Sequence, residues 1–366
     1  MKPDSACETS APSLPAELWL YIYRLATAYI SPLVAIRNSG YQYVVPKDPL
    51  EDIRYILREA CSMVLVCRSW NSLAREILYE NIRVGHHFSA LSAALDQPDT
   101  ARLVRSIRFS PFHFESNRIV LKKCHLVEVV VQPDVTVTTG ILHPLHLDTP
   151  PLLSLKHVYW TESAFSAPLL RSVLGAAPNL EYVSLNRSTS LGSYDRDGLL
   201  PPIPSMRCLN IVASTSSPIT AILPTDVQRL TRLFCNPRDI TSDAPALPAL
   251  RTLELFGSRM NIPFPAIQSR CPQLRELCYD VWNTASEPQA THPSLSCIRL
   301  HSMVSVVRDW TSIERHFGLF CGPSFPGLQR VVLYGQWYRV IVDPRFAALR
   351  GTSARGPAVS SFRREM

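Results

Sequence analysis

Two stretches, Pro248-Ala249-Leu250-Arg251-Thr252-Leu253-Glu254-Leu255 and Pro272-Gln273-Leu274-Arg275-Glu276-Leu277-Cys278-Tyr279, decide how this chain folds. In both, an apolar residue is followed after two variable positions by a second and after one more by a third. A proline stands two residues ahead of the first. The closing alternation is that of a strand with one buried face, because successive strand side chains point to opposite sides. The pattern recurs at Leu180, Val183 and Leu185, at Met206, Leu209 and Ile211, at Leu295, Ile298 and Leu300, and at Leu328, Val331 and Leu333. Pro178, Pro204, Pro293 and Pro326 lead these copies, and weaker ones start at Val104, Leu126, Leu155 and Leu230.

The first apolar residues of the copies lie 22, 29, 25, 26, 24, 20, 24, 21 and 33 apart. Parallel strands need a crossover of about a dozen residues or more, so a strand with a short helix or turn fills each interval. Residues 167–177, with Leu169, Leu170, Val173 and Leu174, supply such a helix, as do residues 312–320 with Ile313, Phe317 and Phe320. Each unit then covers its apolar face with its neighbours. The expected class is α/β, with a curved parallel-strand repeat solenoid over residues 101–342 and one continuous core. In that register the residues alternating with the buried ones line the concave face: His157, Tyr159, Tyr182, Ser184, Asn210, Arg232, Phe234, Glu254, Glu276, Arg299 and Arg330. Aromatic and arginine side chains are enriched in binding hot spots, so this face is the candidate site for holding a target protein.

Composition limits the alternatives. At 366 residues the chain is long for one ordinary compact core, which favours several domains or a repeat array. With 46% hydrophobic residues, 18% charged, 31 prolines and 13 glycines, neither a disordered nor a collagen-like chain fits. No apolar run approaches the ~18 residues of a membrane helix, and the polar start, residues 1–13, has no signal-peptide core. We expect a soluble protein, cytoplasmic and/or nuclear, with residues 1–12 disordered. The 10 cysteines include no pair at metal-ligand or redox spacing, which points to free thiols. Much of the net charge of +7 sits in Arg345, Arg350, Arg355, Arg363 and Arg364, so residues 345–366 are expected to form a basic disordered tail. Without a basic, aromatic-interleaved domain face, no nucleic-acid partner is expected. His143 and His146 flank a proline and lack further ligands, His86-His87 has no partner spacing, and no phosphate loop or nucleophile elbow occurs. Neither catalysis, a metal nor a cofactor is expected of this chain.

The amino-terminal region reads as helices. Pro15 suits a first helical position, and Leu14, Leu18, Ile22 and Leu25 recur on one face, with Trp19 and Tyr23 toward another. Met63, Val66, Cys67, Trp70, Leu73, Ala74 and Ile77 follow the helical period over four turns, and Tyr79 to Val84 form a short extended exit. Between these helices, residues 27–61 carry several prolines and one further helix starting near Asp48-Pro49. A segment this small does not bury so much apolar surface by itself. The cover is either the rest of the same chain or a second protein, and periodicity does not separate the two.

Leu14-Pro15-Ala16-Glu17-Leu18 together with Leu65-Val66-Cys67-Arg68-Ser69-Trp70-Asn71-Ser72-Leu73-Ala74 resembles the two halves of a fungal-type F-box, with residues 13–84 as the domain and 27–61 inserted. The resemblance implies docking on a Skp-type adaptor, with Leu14, Pro15, Leu18, Ile22, Val66, Cys67, Trp70 and Leu73 at positions that form or support the adaptor surface. The later pattern resembles leucine-rich repeats, which often follow an F-box. It departs from them in lacking the Asn eight residues after the first Leu, and Ser163, Ser188, Ser214 and Ser258 occupy four of those slots. Together the resemblances imply a substrate-receptor subunit of a cullin-RING (SCF-type) ubiquitin ligase, holding an unidentified target protein, with no membrane partner and no cofactor. The other reading is a non-catalytic repeat scaffold whose helices only cap the solenoid's end.

Overall fold

In the computed structural model the described residues are 15, 17–19, 21–22, 61, 68–110, 113–133, 150–162, 167–187, 203–213, 229–240, 245–257, 259–285, 291–302, 309–353 and 361–365. Twelve strands form one parallel sheet whose spatial order follows the chain. They are β1 (Asn81–Arg83), β2 (Ser106–Arg108), β3 (Val129–Gln132), β4 (His157–Glu162), β5 (Tyr182–Arg187), β6 (Cys208–Ala213), β7 (Arg232–Cys235), β8 (Thr252–Leu255), β10 (Glu276–Asp280), β12 (Cys297–Ser302), β13 (Arg330–Gly335) and β14 (Ser361–Glu365). A separate two-stranded ladder joins β9 (Asn261–Ile262) and β11 (Thr284–Ala285). The α/β class with parallel strands therefore agrees with the expectation.

The leading prolines have a local cause. Leu180, Met206, Leu250, Leu274, Leu295 and Leu328 each donate their N–H to the carbonyl three residues back, at 3.0–3.4 Å. The acceptors are Ala177, Ile203, Leu247, Cys271, His292 and Phe325. Each proline is thus the second residue of a β-turn, where its fixed φ is already correct. The turn reverses the chain into the strand and buries both its first and its last residue. Leu152-Leu153-Ser154-Leu155 closes the same turn without proline.

Register stacks equivalent residues into rows. Ile82, Ile107, Val130, Val158, Val183, Leu209, Leu233, Leu253, Leu277, Ile298 and Val331 follow one another across the sheet and are all buried. One continuous apolar cluster runs from Ile82 to Phe346. The helices Ala167–Gly175 and Trp310–Phe320 cover it where the pattern placed them, through Leu169, Leu170, Val173 and Leu174, and through Ile313, Phe317 and Phe320. Phe114–Lys123 and Phe264–Arg270 are further helical crossovers.

Three boundaries differ from expectation. The second repeat starts at Val127, which is buried with Val130, whereas Leu126 is half-exposed. A one-residue slip exchanges the two faces of a strand, and two adjacent apolar residues left that choice to packing. The exit segment after the amino-terminal helix is β1, so the sheet begins at Asn81 rather than near residue 101. At the far end, Pro344–Ser353 is helical and β14 pairs parallel to β13, where a disordered tail was expected. Phe346 is buried and meets Phe317 edge to face at 5.7 Å, so one apolar residue among arginines anchors that helix.

Buried polar groups tie the loops to the sheet. Asn283 accepts from Met260 N–H at 2.9 Å and donates to the Gly257 carbonyl at 2.9 Å. His316, 1% exposed, holds the same loop: its Nε2 lies 3.1 Å from the Val281 carbonyl and 2.9 Å from that of Asn283. Its Nδ1 lies 3.1 Å from the Tyr279 hydroxyl. Two carbonyls at Nε2 require the proton there, so Nδ1 accepts from Tyr279. Burial pushes the imidazole down to about 4, keeping it neutral.

Candidate recognition face

Opposite the core, the sheet presents two polar rows. The first runs His157, Tyr182, Cys208, Arg232, Thr252, Glu276, Cys297 and Arg330, and the second Tyr159, Ser184, Asn210, Phe234, Glu254, Cys278, Arg299 and Val332. All eleven residues read from the sequence for this face occupy these rows. The rows differ in accessibility. Ser184, Asn210, Phe234 and Glu254 are buried, His157, Tyr159, Tyr182, Arg232, Glu276 and Arg299 are half-buried, and Arg330 is exposed. The second row lies farther into the sheet, and each of its side chains has a neighbour on either side at about 4.8 Å, which covers Ser184, Asn210, Phe234 and Glu254.

The face divides into an aromatic part and a charged part. Over β4 and β5, Tyr182 lies 5.8 Å from His157 and 5.1 Å from Tyr159, ring centre to ring centre. Burial pushes the Tyr182 phenol up to about 12, with the neighbouring Cys208 thiol adding to it. Burial likewise lifts Cys208 to about 12, which leaves it a thiol and not a nucleophile at neutral pH. Farther along, Arg232 Nε donates to Glu254 Oε1 at 2.7 Å, and Arg299 pairs with Glu276. Burial raises the Glu254 carboxyl and the Arg232 guanidinium opposes that rise. The pairs hold two arginines flat along the sheet and cancel their charge locally.

A third row escaped the pattern search because it lies beyond the last apolar residue of each copy. Phe256 stacks on Phe234 at 5.1 Å with rings 5° apart, and His301 sits 5.5 Å from Tyr334. Burial pushes His301 down to about 4. One position on, Gly335 pairs with Ser302 and has a φ of +89°, and a Cβ there would meet the Ser302 carbonyl at 2.6 Å. The aromatic type at the position after the third apolar residue was the signal available in the sequence.

At the amino terminus, residues 17–19 and 21–22 are helical, and Pro15 accepts backbone bonds from Leu18 and Trp19 at 3.0 and 3.1 Å. Leu18 is 47%, Tyr21 61% and Ile22 40% exposed. Pro15 is exposed as well. Leu14, Val66 and Cys67 lie outside the described residues. Trp70 and Leu73 belong to the helix Arg68–Glu80, but their side chains lie outside the described part, as does nearly all of the insertion 27–61. The carboxy-terminal turns of that helix are built into the repeat body. Ile77 is buried, Tyr79 packs on the core, and Arg75 donates to Gln97 Oε1 at 2.8 Å and to Thr100. No family model matches the chain, and no curated protein matches it in sequence.

Among the described residues, no three His, Cys, Asp or Glu side chains cluster as a metal site. No described helix is long and apolar enough to cross a membrane. His143 and His146, and the four serines at the Asn slots, lie outside the described residues.

Proposed function

We propose that this chain is a substrate-receptor subunit of a cullin-RING ubiquitin ligase, docking a Skp-type adaptor through its amino-terminal helices and holding a target protein on its leucine-rich-repeat sheet. The observation that carries the reading is the exposure of Leu18, Tyr21 and Ile22 on one short helix; the other large apolar side chains exposed among the described residues are Leu153 and, at the far end of the sheet, Tyr338, Ile341 and Val342. Three such residues within five positions match an interface core better than a solvated surface. The polar face, with aromatic rings at one end and paired arginines at the other, supplies the second surface. The chain itself would contribute proximity, the chemistry residing on an enzyme bound elsewhere in the assembly.

Co-purification tests this directly. The full chain should retain a Skp-type adaptor, and Leu18→Asp with Ile22→Asp should abolish retention without lowering the thermal midpoint. Failure of the unaltered chain to retain adaptor would overturn the reading. The capping alternative draws support from Ile77, Tyr79 and Arg75, which join their helix to the first repeat. A chain starting at residue 81 keeps β1, removes the amino-terminal helices and separates the two. It stays soluble and monomeric if those helices serve a partner, and aggregates if they cap the sheet.

A further inference from the structure

Residues just before each strand form a row of their own along one edge of the sheet. Each donates its N–H to the carbonyl of the preceding strand's equivalent residue, at 2.7–2.9 Å, in the order Glu80, Arg105, Glu128, Lys156, Glu181, Arg207, Thr231, Arg251, Arg275, Ser296, Gln329. Adjacent members are therefore one strand spacing apart, about 4.8 Å.

The two halves of this row are built differently. From Glu80 to Arg207 the charges alternate in sign, and Arg105 pairs with Glu128 at 3.8 Å. Each charge there has a neighbour of opposite sign; Arg207, at the boundary, has Glu181 on one side and Thr231 on the other. From Arg207 to Gln329 the row holds three arginines and no acid, and Arg229 lies two residues ahead of Thr231 on the same edge. All four are exposed. None makes an ion pair or side-chain hydrogen bond among the described residues. The carboxylates of Glu254 and Glu276 are already engaged by Arg232 and Arg299, and Glu181, beside Arg207 in the row, forms no ion pair with it among the described residues. Like charges on neighbouring strands repel, so Arg251 beside Arg275 costs stability that the alternating half avoids.

We propose that this edge, Arg207, Arg229, Arg251 and Arg275, is the docking strip for an acidic, extended segment of the target protein. The inference deepens the receptor reading and rests on it only for the ligand's being part of a target. Arg207 to Arg275 spans three strand spacings, about 14 Å, which an extended peptide covers in about four residues. Carboxylates on alternate residues recur about every 7 Å along one side, within reach of the flexible arginines. A guanidinium takes a carboxylate with two parallel hydrogen bonds, so two such carboxylates along the strip find four arginines within reach, opposite in charge and able to hold them. The aromatic rings of Tyr159 and Tyr182 lie beyond the Arg207 end of the strip and give the same segment an apolar landing.

The test uses the full chain and fluorescence anisotropy with three labelled probes: a peptide of alternating Glu and Ser, the same peptide with Lys for Glu, and a single-stranded oligonucleotide. The Glu peptide should bind, with affinity falling as salt rises, and the Lys peptide should not. Arg251→Glu with Arg275→Glu should weaken it more than tenfold, and Arg251→Gln with Arg275→Gln should weaken it about tenfold. Arg171→Glu with Arg339→Glu, which changes net charge equally at exposed helical positions, should leave it unchanged. Equal loss in that control, no binding of the Glu peptide, or tighter binding of the oligonucleotide would overturn the proposal. Adaptor retention is measured separately, so a chain that binds the peptide but no adaptor refutes the ligase reading alone.

Discussion

Replacing His316 by Asn should remove a defined part of the protein's acid sensitivity. His316 is neutral in the fold, its Nε2 proton shared between the Val281 and Asn283 carbonyls and its Nδ1 accepting from Tyr279. Phe320 stacks against it at 6.2 Å, Tyr279 is itself a neutral phenol held up by burial, and Arg315 adds a small push in the same direction as burial. No described carboxylate pairs with the ring to stabilise its cation. The folded group titrates at about 4 against an ordinary value of 6.5. A base whose folded pKa is depressed gives stability that is complete above the unfolded value and is lost as pH falls from there through the folded one. That gap is worth about 3 kcal/mol when fully expressed, and about 2 kcal/mol is already lost at pH 5. His301 carries a shift of the same direction and size on the opposite face of the sheet, so the two sites contribute comparable losses. Urea unfolding near neutral pH and near pH 5 measures the sum. The His316→Asn chain should be less stable at neutral pH by about 1–3 kcal/mol, because a buried carbonyl loses its donor. Its further loss on acidification should be smaller than that of the unaltered chain by about 2 kcal/mol. An identical pH dependence in the two proteins would refute the assignment of a neutral, carbonyl-bound His316.

Gly327→Ala should destabilise the chain by about 1–3 kcal/mol, because the new Cβ would collide with the Pro293 carbonyl of the preceding turn. Gly318→Ala, in the helix Trp310–Phe320 with nothing within 4 Å, should instead stabilise it by about 0.5–1 kcal/mol in the same melting experiment. Val127→Asp should prevent folding or cost several kcal/mol while Leu126→Asp is nearly silent by circular dichroism; the reverse order would place the second repeat one residue earlier. Phe346→Ala should cost about 3–5 kcal/mol and open Pro344–Ser353 to limited proteolysis, whereas a dispensable tail would show neither effect.

The placement of the repeats was legible because each carries its own local instruction. A proline at the second position of a turn, an apolar residue that closes it, and a two-residue alternation act within eight residues and need no distant partner. The same alternation put all eleven face residues on the correct side. It did not tell which would be reachable. Glu254 and Arg299 occupy equivalent positions of one row, yet one is 2% exposed and the other half-buried. That difference belongs to the flanking strands, whose side chains come from residues about 20–30 positions away in the chain.

The amino-acid sequence alone determined the period, the parallel class and the sidedness of the strands, since these follow from short-range apolar spacing. The tertiary structure alone decided that Val127 and not Leu126 faces the core, that β1 joins the sheet, and that Phe346 ties down the arginine-rich end. Each of these is a choice between locally equivalent residues, settled by which one found a cavity already shaped by its neighbours. The arginine edge is the same kind of result: Arg207, Arg251 and Arg275 are more than twenty residues apart in sequence and become one charged strip only when the backbone ladder brings them side by side.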